Sequence, residues 1–229
     1  MPAGVAPFTG FSREMFRFFH DLGMNNYKEW FEQHRMEYLS AVREPMRSFT
    51  MELNIRMREM DPELEEIVNP DKAIARINRD VRFSKDKSPY RTNLWITFKR
   101  STPDWQTDPA FYFDIGFDRY SYGVGYYIFT PEMRALMKSV VRSERGVLDN
   151  AVNALSKSVF TLGGDRYKRP IDKSLSELER EWCERKSLYI YSEHEPDDVL
   201  FTRGLIDRVT NDFLTIKPVY QLFRSIKGG

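Results

Sequence analysis

Residues 111–129, FYFDIGFDRYSYGVGYYIF, decide the class of fold. Phe111, Phe113, Ile115 and Phe117 alternate with Tyr112, Asp114 and Gly116, the period of a strand with one buried face. A turn near Asp118–Ser121 then leads into Tyr122 to Phe129, which reads as the return strand. A link this short joins antiparallel neighbours, because a parallel pair needs a long crossover. Gly116, Gly123 and Gly125 strip side chains from the hairpin, which suits a bulge, a twist or the close approach of a helix or ligand.

Working outward, Leu94, Ile96 and Phe98 alternate in the same way, and Ile77, Val81 and Phe83 predict a further strand over residues 76–83. On the other side, Thr130-Pro131 opens a helix with a capping hydroxyl and a proline at the first helical position, continued by Met133, Leu136, Met137, Val140 and Val141. Ser174 with Glu177 reads as a capping box ahead of Leu175, Leu178 and Trp182, and residues 188–191 as a short strand. Leu205, Val209, Phe213 and Ile216 form a helical stripe that stops before Pro218, with one more short helix after it.

The N-terminal side is helical. Ser12 caps a helix presenting Met15, Phe16 and Phe19 and ended by Gly23. Asn26 and Glu29 have the spacing of a second capping box. Phe31, Tyr38, Val42, Met46, Phe49 and Leu53 continue at helical steps, and Pro45 predicts a kink or break near Glu44. Helices, then strands, then helices give an α+β class: one domain over residues 11–226, a mostly antiparallel sheet with N-terminal and C-terminal helices packed on it, preceded by a flexible arm at 1–10.

Bulk properties narrow the function. A net charge of +1 in 229 residues argues against a general nucleic-acid or membrane-surface binder, so long nucleic acid is an unfavoured partner. Cys183 is the single cysteine, which excludes an internal disulfide and a cysteine zinc cage. No apolar run reaches the ~20 residues of a membrane helix, and residues 1–10 lack a secretory pattern, so the cytoplasm is the expected compartment.

Against that balance, residues 76–91 (RINRDVRFSKDKSPYR) stand out. Six bases against two acids give the window +4, which leaves −3 for the rest of the chain. On a strand, Arg76, Asn78, Asp80 and Arg82 share one face, and Arg79 on the other needs a partner or an exit to solvent. Arginine forks suit phosphate or carboxylate, lysines add point charge, and Ser84, Ser88, Tyr90 and Thr92 offer hydroxyls. The candidate ligand-binding set is Arg76, Asp80, Arg82, Ser84, Lys85, Lys87, Tyr90 and Arg91, with Arg76 and Arg82 gripping an anion, Lys85, Lys87 and Arg91 closing over it, and Asp80 orienting the arginines. A phosphorylated small molecule is the leading ligand class. A surface docking an acidic protein partner is the alternative, and a third is an enzyme acting on a phosphorylated substrate with Asp80 or Asp86 as acid–base group. A structural network, with Asp80 pairing Arg76 or Arg82 and Asp86 pairing a neighbouring lysine, explains the same residues.

The window resembles the signature of the family catalogued as domain of unknown function 2461. NNYKEWF at 25–31 is similar to that family's Asn-Asn and Trp-Phe landmark, and the hairpin at 122–127, the Pro131 helix start and Lys217-Pro218 fit the same pattern. Asn78 and Asn93 depart from it, standing where an aromatic and a histidine are expected, and Arg91 replaces a frequent lysine with its charge kept. The resemblance spans roughly residues 8–226; it implies a functional surface at 76–91 and supplies no reaction.

Other candidate chemistry is thin. His20, His34 and His194 lack metal-ligand spacing, which leaves only a composite of His194 with Glu193 and Glu195, so no metal or cofactor is expected. There is no nucleophile elbow and no phosphate loop. Asn25, Asn26, Glu29 and Trp30 read as a helix cap or as a substrate edge, and Cys183 as a buried apolar residue.

Overall fold

The structure, a computed structural model, describes residues 5–226. It has the α+β fold, with a five-stranded antiparallel sheet ordered β1-β2-β3-β5-β4 among the described residues. The strands are β1 (Asn93–Phe98), β2 (Ala110–Gly116), β3 (Tyr120–Gly125), β4 (Thr161–Gly163) and β5 (Tyr189–His194). On β1 the alternating burial puts Leu94, Ile96 and Phe98 inside, and on β2 it does the same for Phe111, Phe113 and Ile115. The hairpin turns earlier than its pattern predicts. Gly116 donates its N–H to the Arg119 carbonyl, so β3 begins at Tyr120 and ends at Gly125. Tyr126 to Phe129 lie outside the strand, and Phe117 leaves β2 half-exposed.

The chain clusters into two compact units, each discontinuous in sequence. Among the described residues, the first comprises 5–98, 112–121 and 193–210. It carries α1 (Arg13–Met24), α2 (Lys28–Gln33), α3 (Arg35–Glu37), a π-helical turn (Tyr38–Arg43) and α4 (Glu44–Met60). Pro45 sits in the first turn of α4, and the interruption predicted there takes the form of the π turn just before it. Phe49 of α4 meets Phe113 of β2 at 4.6 Å between ring centres, and Phe8 packs on Phe49 at 5.0 Å and on Phe11 at 5.1 Å. Phe8 also donates its N–H to Glu52 at 2.6 Å, and Glu52 is ion-paired to Arg203. The arm expected at residues 1–10 is therefore fastened at Phe8, where an apolar ring outweighs a loop-like composition; residues 1–4 lie outside the described residues.

The second unit comprises, among the described residues, 99–111, 122–192 and 211–226. It holds α5 (Pro131–Ser143), α6 (Arg145–Ser156), α7 (Glu177–Cys183) and α9 (Lys217–Ser225), with α8 (Gly204–Thr215) running through the boundary at residues 210–211. Thr130 caps α5 by accepting from Met133 N–H, as its sequence predicts. The capping box of α7 is formed by Ser176 with Glu179, two residues later than Ser174 with Glu177. The Ser174 hydroxyl is taken by Asp172 at 2.6 Å, which removes it as a cap. Phe111 packs on Phe213 and Tyr220 at 4.8 and 4.6 Å, and α6 lies against α9. Cys183 is buried, and that burial pushes its thiol up to about 12.

Candidate functional site

Residues 76–83 do not form the regular strand that their alternation predicts. Asn78 makes an isolated antiparallel bridge with Tyr90, flanked by Arg79 N–H to the Pro89 carbonyl and Arg91 N–H to the Ile77 carbonyl, both at 2.8 Å. This short ladder closes residues 80–88 into a loop. The apolar positions then diverge: Ile77 is buried, Val81 half-buried and Phe83 94% exposed, so the period of two never becomes a face.

Inside the loop the charges mostly answer one another. Asp80 accepts from the Arg82 backbone N–H at 3.2 Å and from its guanidinium at 2.6 and 2.9 Å, which spends both groups on an exposed local pair. Asp86 accepts from the Ser88 hydroxyl at 2.7 Å and its N–H at 2.9 Å, and it ion-pairs with Arg79. The Ser88 bonds, with Arg79 behind them, hold its carboxyl down to about 2. Arg79 also reaches the Ser88 carbonyl and the Ser84 hydroxyl, and Lys87 donates to the Val81 carbonyl at 3.0 Å. Of the two outcomes open to Arg79, a partner or an exit to solvent, the fold provides the partner, seven residues away rather than next in sequence.

A pocket of about 630 Å³ opens beside this loop. Arg79, Asp86 and Ser88 line one side with Tyr90, Arg91 and Thr92. Phe19, His20, Gly23 and Met24 of α1 line another, and Asn26, Asn93 and Phe117 complete the wall. Of the eight residues proposed from sequence, it takes only Tyr90 and Arg91. Arg76, Asp80, Arg82, Ser84, Lys85 and Lys87 lie elsewhere: Arg76 and Lys85 are exposed, Asp80 pairs with Arg82, Ser84 accepts from Arg79 and Lys87 donates to the Val81 carbonyl, so no single strand face gathers them.

Arg91 differs from the other bases. Its guanidinium lies over the Trp95 ring, 4.7 Å from the centroid, and it makes no salt bridge among the described residues. Its Nε is buried with no hydrogen-bond partner. The stacked ring fixes the fork and leaves its terminal N–H groups for something else.

Asn26 sets the position of this wall. The N-cap of α2 is Tyr27, with no side-chain cap, so the capping box read at Asn26 and Glu29 does not form. Asn26 instead donates its amide to the Tyr90 carbonyl and accepts from the Tyr90 N–H, each at 3.0 Å. The Tyr90 ring stacks on Phe31 at 4.2 Å, so the two landmark segments are joined by a doubly hydrogen-bonded amide and an aromatic pair. Nothing in the local sequence reveals a contact spanning 64 residues. Asn93 donates to Asp114 at 2.6 Å, and desolvation raises the Asp114 carboxyl above its ordinary value.

Two of the three residues of the composite metal set have structural partners. His194 stacks on Tyr120 at 5.0 Å, and Glu193 ion-pairs with Arg119. No helix among the described residues is long and apolar enough to cross a membrane.

With this geometry in hand, comparison with protein-family models matches residues 14–222 to the family described as Conserved hypothetical protein (DUF2461). The chain belongs to that family. The match spans both segments that meet at Asn26 and Tyr90, and the family's description carries no activity. No curated protein matches the chain.

Proposed function

We propose that this DUF2461 protein binds an anionic small molecule in the pocket beside the 80–88 loop, with Arg91 as the anion contact. The observation that carries this is Arg91 itself: a guanidinium in the pocket wall, stacked on Trp95, whose terminal N–H groups have no carboxylate or other hydrogen-bond partner among the described residues. Ser88, Thr92 and Asn93 supply neutral polar groups around it. The volume suits a small molecule rather than a bare ion, since ligand pockets run to roughly 300–1,000 Å³.

Thermal unfolding against a panel of carboxylates, sugar phosphates, nucleotides and short RNA tests this. A ligand at 100 times its dissociation constant stabilises by ~2.7 kcal/mol, a rise of roughly 5–11 °C at ~2–4 °C per kcal/mol for this size. The rise should vanish in Arg91→Gln and persist in Arg82→Gln, whose guanidinium is committed to Asp80 outside the pocket. A rise that survives Arg91→Gln, or none with any anion, overturns the proposal.

A second reading rests on the outer side of the same loop. Phe83 is 94% exposed, Arg82 lies 5.7 Å from its ring centre, and Arg76 and Lys85 are exposed nearby in sequence. That combination suits an acidic protein partner docking on the loop tip. Retained binding to such a partner in Arg91→Gln, and its loss in Phe83→Ser, would favour it.

A further inference from the structure

The charge balance of the pocket specifies the anion more narrowly than its position does. Resting on the proposed anion pocket, we infer that its ligand is an amphipathic monoanion, a carboxylate carried on an apolar body, rather than a phosphomonoester. Besides His20, which sits beside Asp21, the charged groups in the wall are Arg79, Arg91 and Asp86. They sum to +1. Asp86 cancels Arg79 through their ion pair, and the guanidinium left for a ligand is that of Arg91. Asp114, one hydrogen bond behind Asn93, can only lower the sum.

A single uncommitted guanidinium matches a carboxylate, whose two oxygens meet its fork and whose charge it neutralises. A phosphomonoester carries close to two charges above its second pKa of ~6. Its second charge would find no uncommitted guanidinium or ammonium in the wall, where Asp86 already holds Arg79, and an unanswered charge costs more in a partly enclosed site than in water. The basic excess of residues 76–91 does not change this, because Arg76, Arg82, Lys85 and Lys87 are outside the wall.

The rest of the wall calls for an apolar body. Met24 is 77% exposed and Phe117 48% exposed, and with the buried Phe19 they give the pocket wall apolar surface. A ligand with a ring or alkyl chain would cover Met24 and Phe117, removing apolar surface that now meets water. An anion as small as acetate would leave it bare.

Isothermal titration at pH 8 with 3-phenylpropionate, 3-phenylpropionamide, propionate and 2-phenylethyl phosphate tests this. The native protein should bind 3-phenylpropionate at least about tenfold more tightly than each of the other three, the scale of one charged hydrogen-bonded contact. Asp86→Asn still accepts from Ser88 while raising the wall to +2, and should move the preference towards 2-phenylethyl phosphate by about tenfold or more. Phosphate bound more tightly than carboxylate by the native protein, and lost in Arg91→Gln, overturns the monoanion inference and leaves the anion pocket standing. The amide binding as well as the acid overturns both. Propionate equal to 3-phenylpropionate removes the apolar half, and no heat with any of the four overturns the inference outright.

Discussion

Asp86 shows how one side chain settles what a charge cluster can do. It organises its own loop through Ser88 and removes Arg79 from the pool of free cations. Its carboxyl falls from the ordinary 3.8 to about 2 because the folded loop donates to the ionised form. The unfolded chain therefore takes up the proton first as pH falls, so stability rises with pH across this interval. The contribution should be complete above pH ~4 and disappear as pH drops towards about 2. Urea unfolding of the native protein and Asp86→Ala should differ by a constant amount from pH 4 to 7 and converge below; a gap that persists at pH 2 would mean the side chain acts by packing. Asn26 is the second residue of this kind. Removing its amide in Asn26→Ala leaves the Tyr90 N–H and carbonyl unpaired, a cost of about 1–3 kcal/mol, seen as a fall of about 2–12 °C in Tm. A change under about 0.5 kcal/mol would show that water replaces both bonds.

Among elements, the approach of β3 to β5 rests on a missing side chain. A Cβ at Gly125 would sit 2.6 Å from Tyr189 Cα and 2.8 Å from the Leu188 carbonyl oxygen, backbone atoms that cannot swing aside. Gly125→Ala should cost about 1–3 kcal/mol or more by overpacking. Gly146 in α6 meets nothing within 4 Å of an added Cβ, so Gly146→Ala should stabilise by about 0.4–1 kcal/mol through the unfolded chain. Paired denaturant curves check both signs, and equal effects would sink the distinction. Legibility followed the same division between local and distant causes. The alternation of β1 and β2, the Thr130 cap and the buried stripe of Leu205, Val209, Phe213 and Ile216 are local patterns, and each reads directly from the chain. The three residues of β4 carry too short a pattern to register, and its pairing with β5 places Leu162 opposite Ile190 across a long connection. Residues 76–83 mislead for the opposite reason: they alternate like a strand, while their pairing partners number only one bridge near Tyr90. The pocket was half visible. Tyr90 and Arg91 belong to the conspicuous motif, whereas His20, Asn26 and Phe117 arrive from distant segments by tertiary packing.

At the scale of the whole chain, the N-terminal segment tests how far the first unit extends. A composition rich in proline, glycine and alanine suggests an arm, yet Phe8 is 1% exposed and sits among Phe11 and Phe49. Gly10, at a φ of +122°, lets the chain pass against the Phe201 backbone, where any side chain would be obstructed. Phe11 N–H then pairs with the Leu200 carbonyl, so the segment is held from both sides of that glycine. Truncating a buried phenylalanine removes its transfer energy and leaves a cavity that rigid neighbouring rings fill poorly. Phe8→Ala should therefore cost about 3–5 kcal/mol and lower Tm by roughly 6–20 °C, with the urea m-value unchanged if native compactness is kept. A loss below about 1 kcal/mol would mean that residues 5–10 contribute little packing in solution, and that the first unit begins at α1.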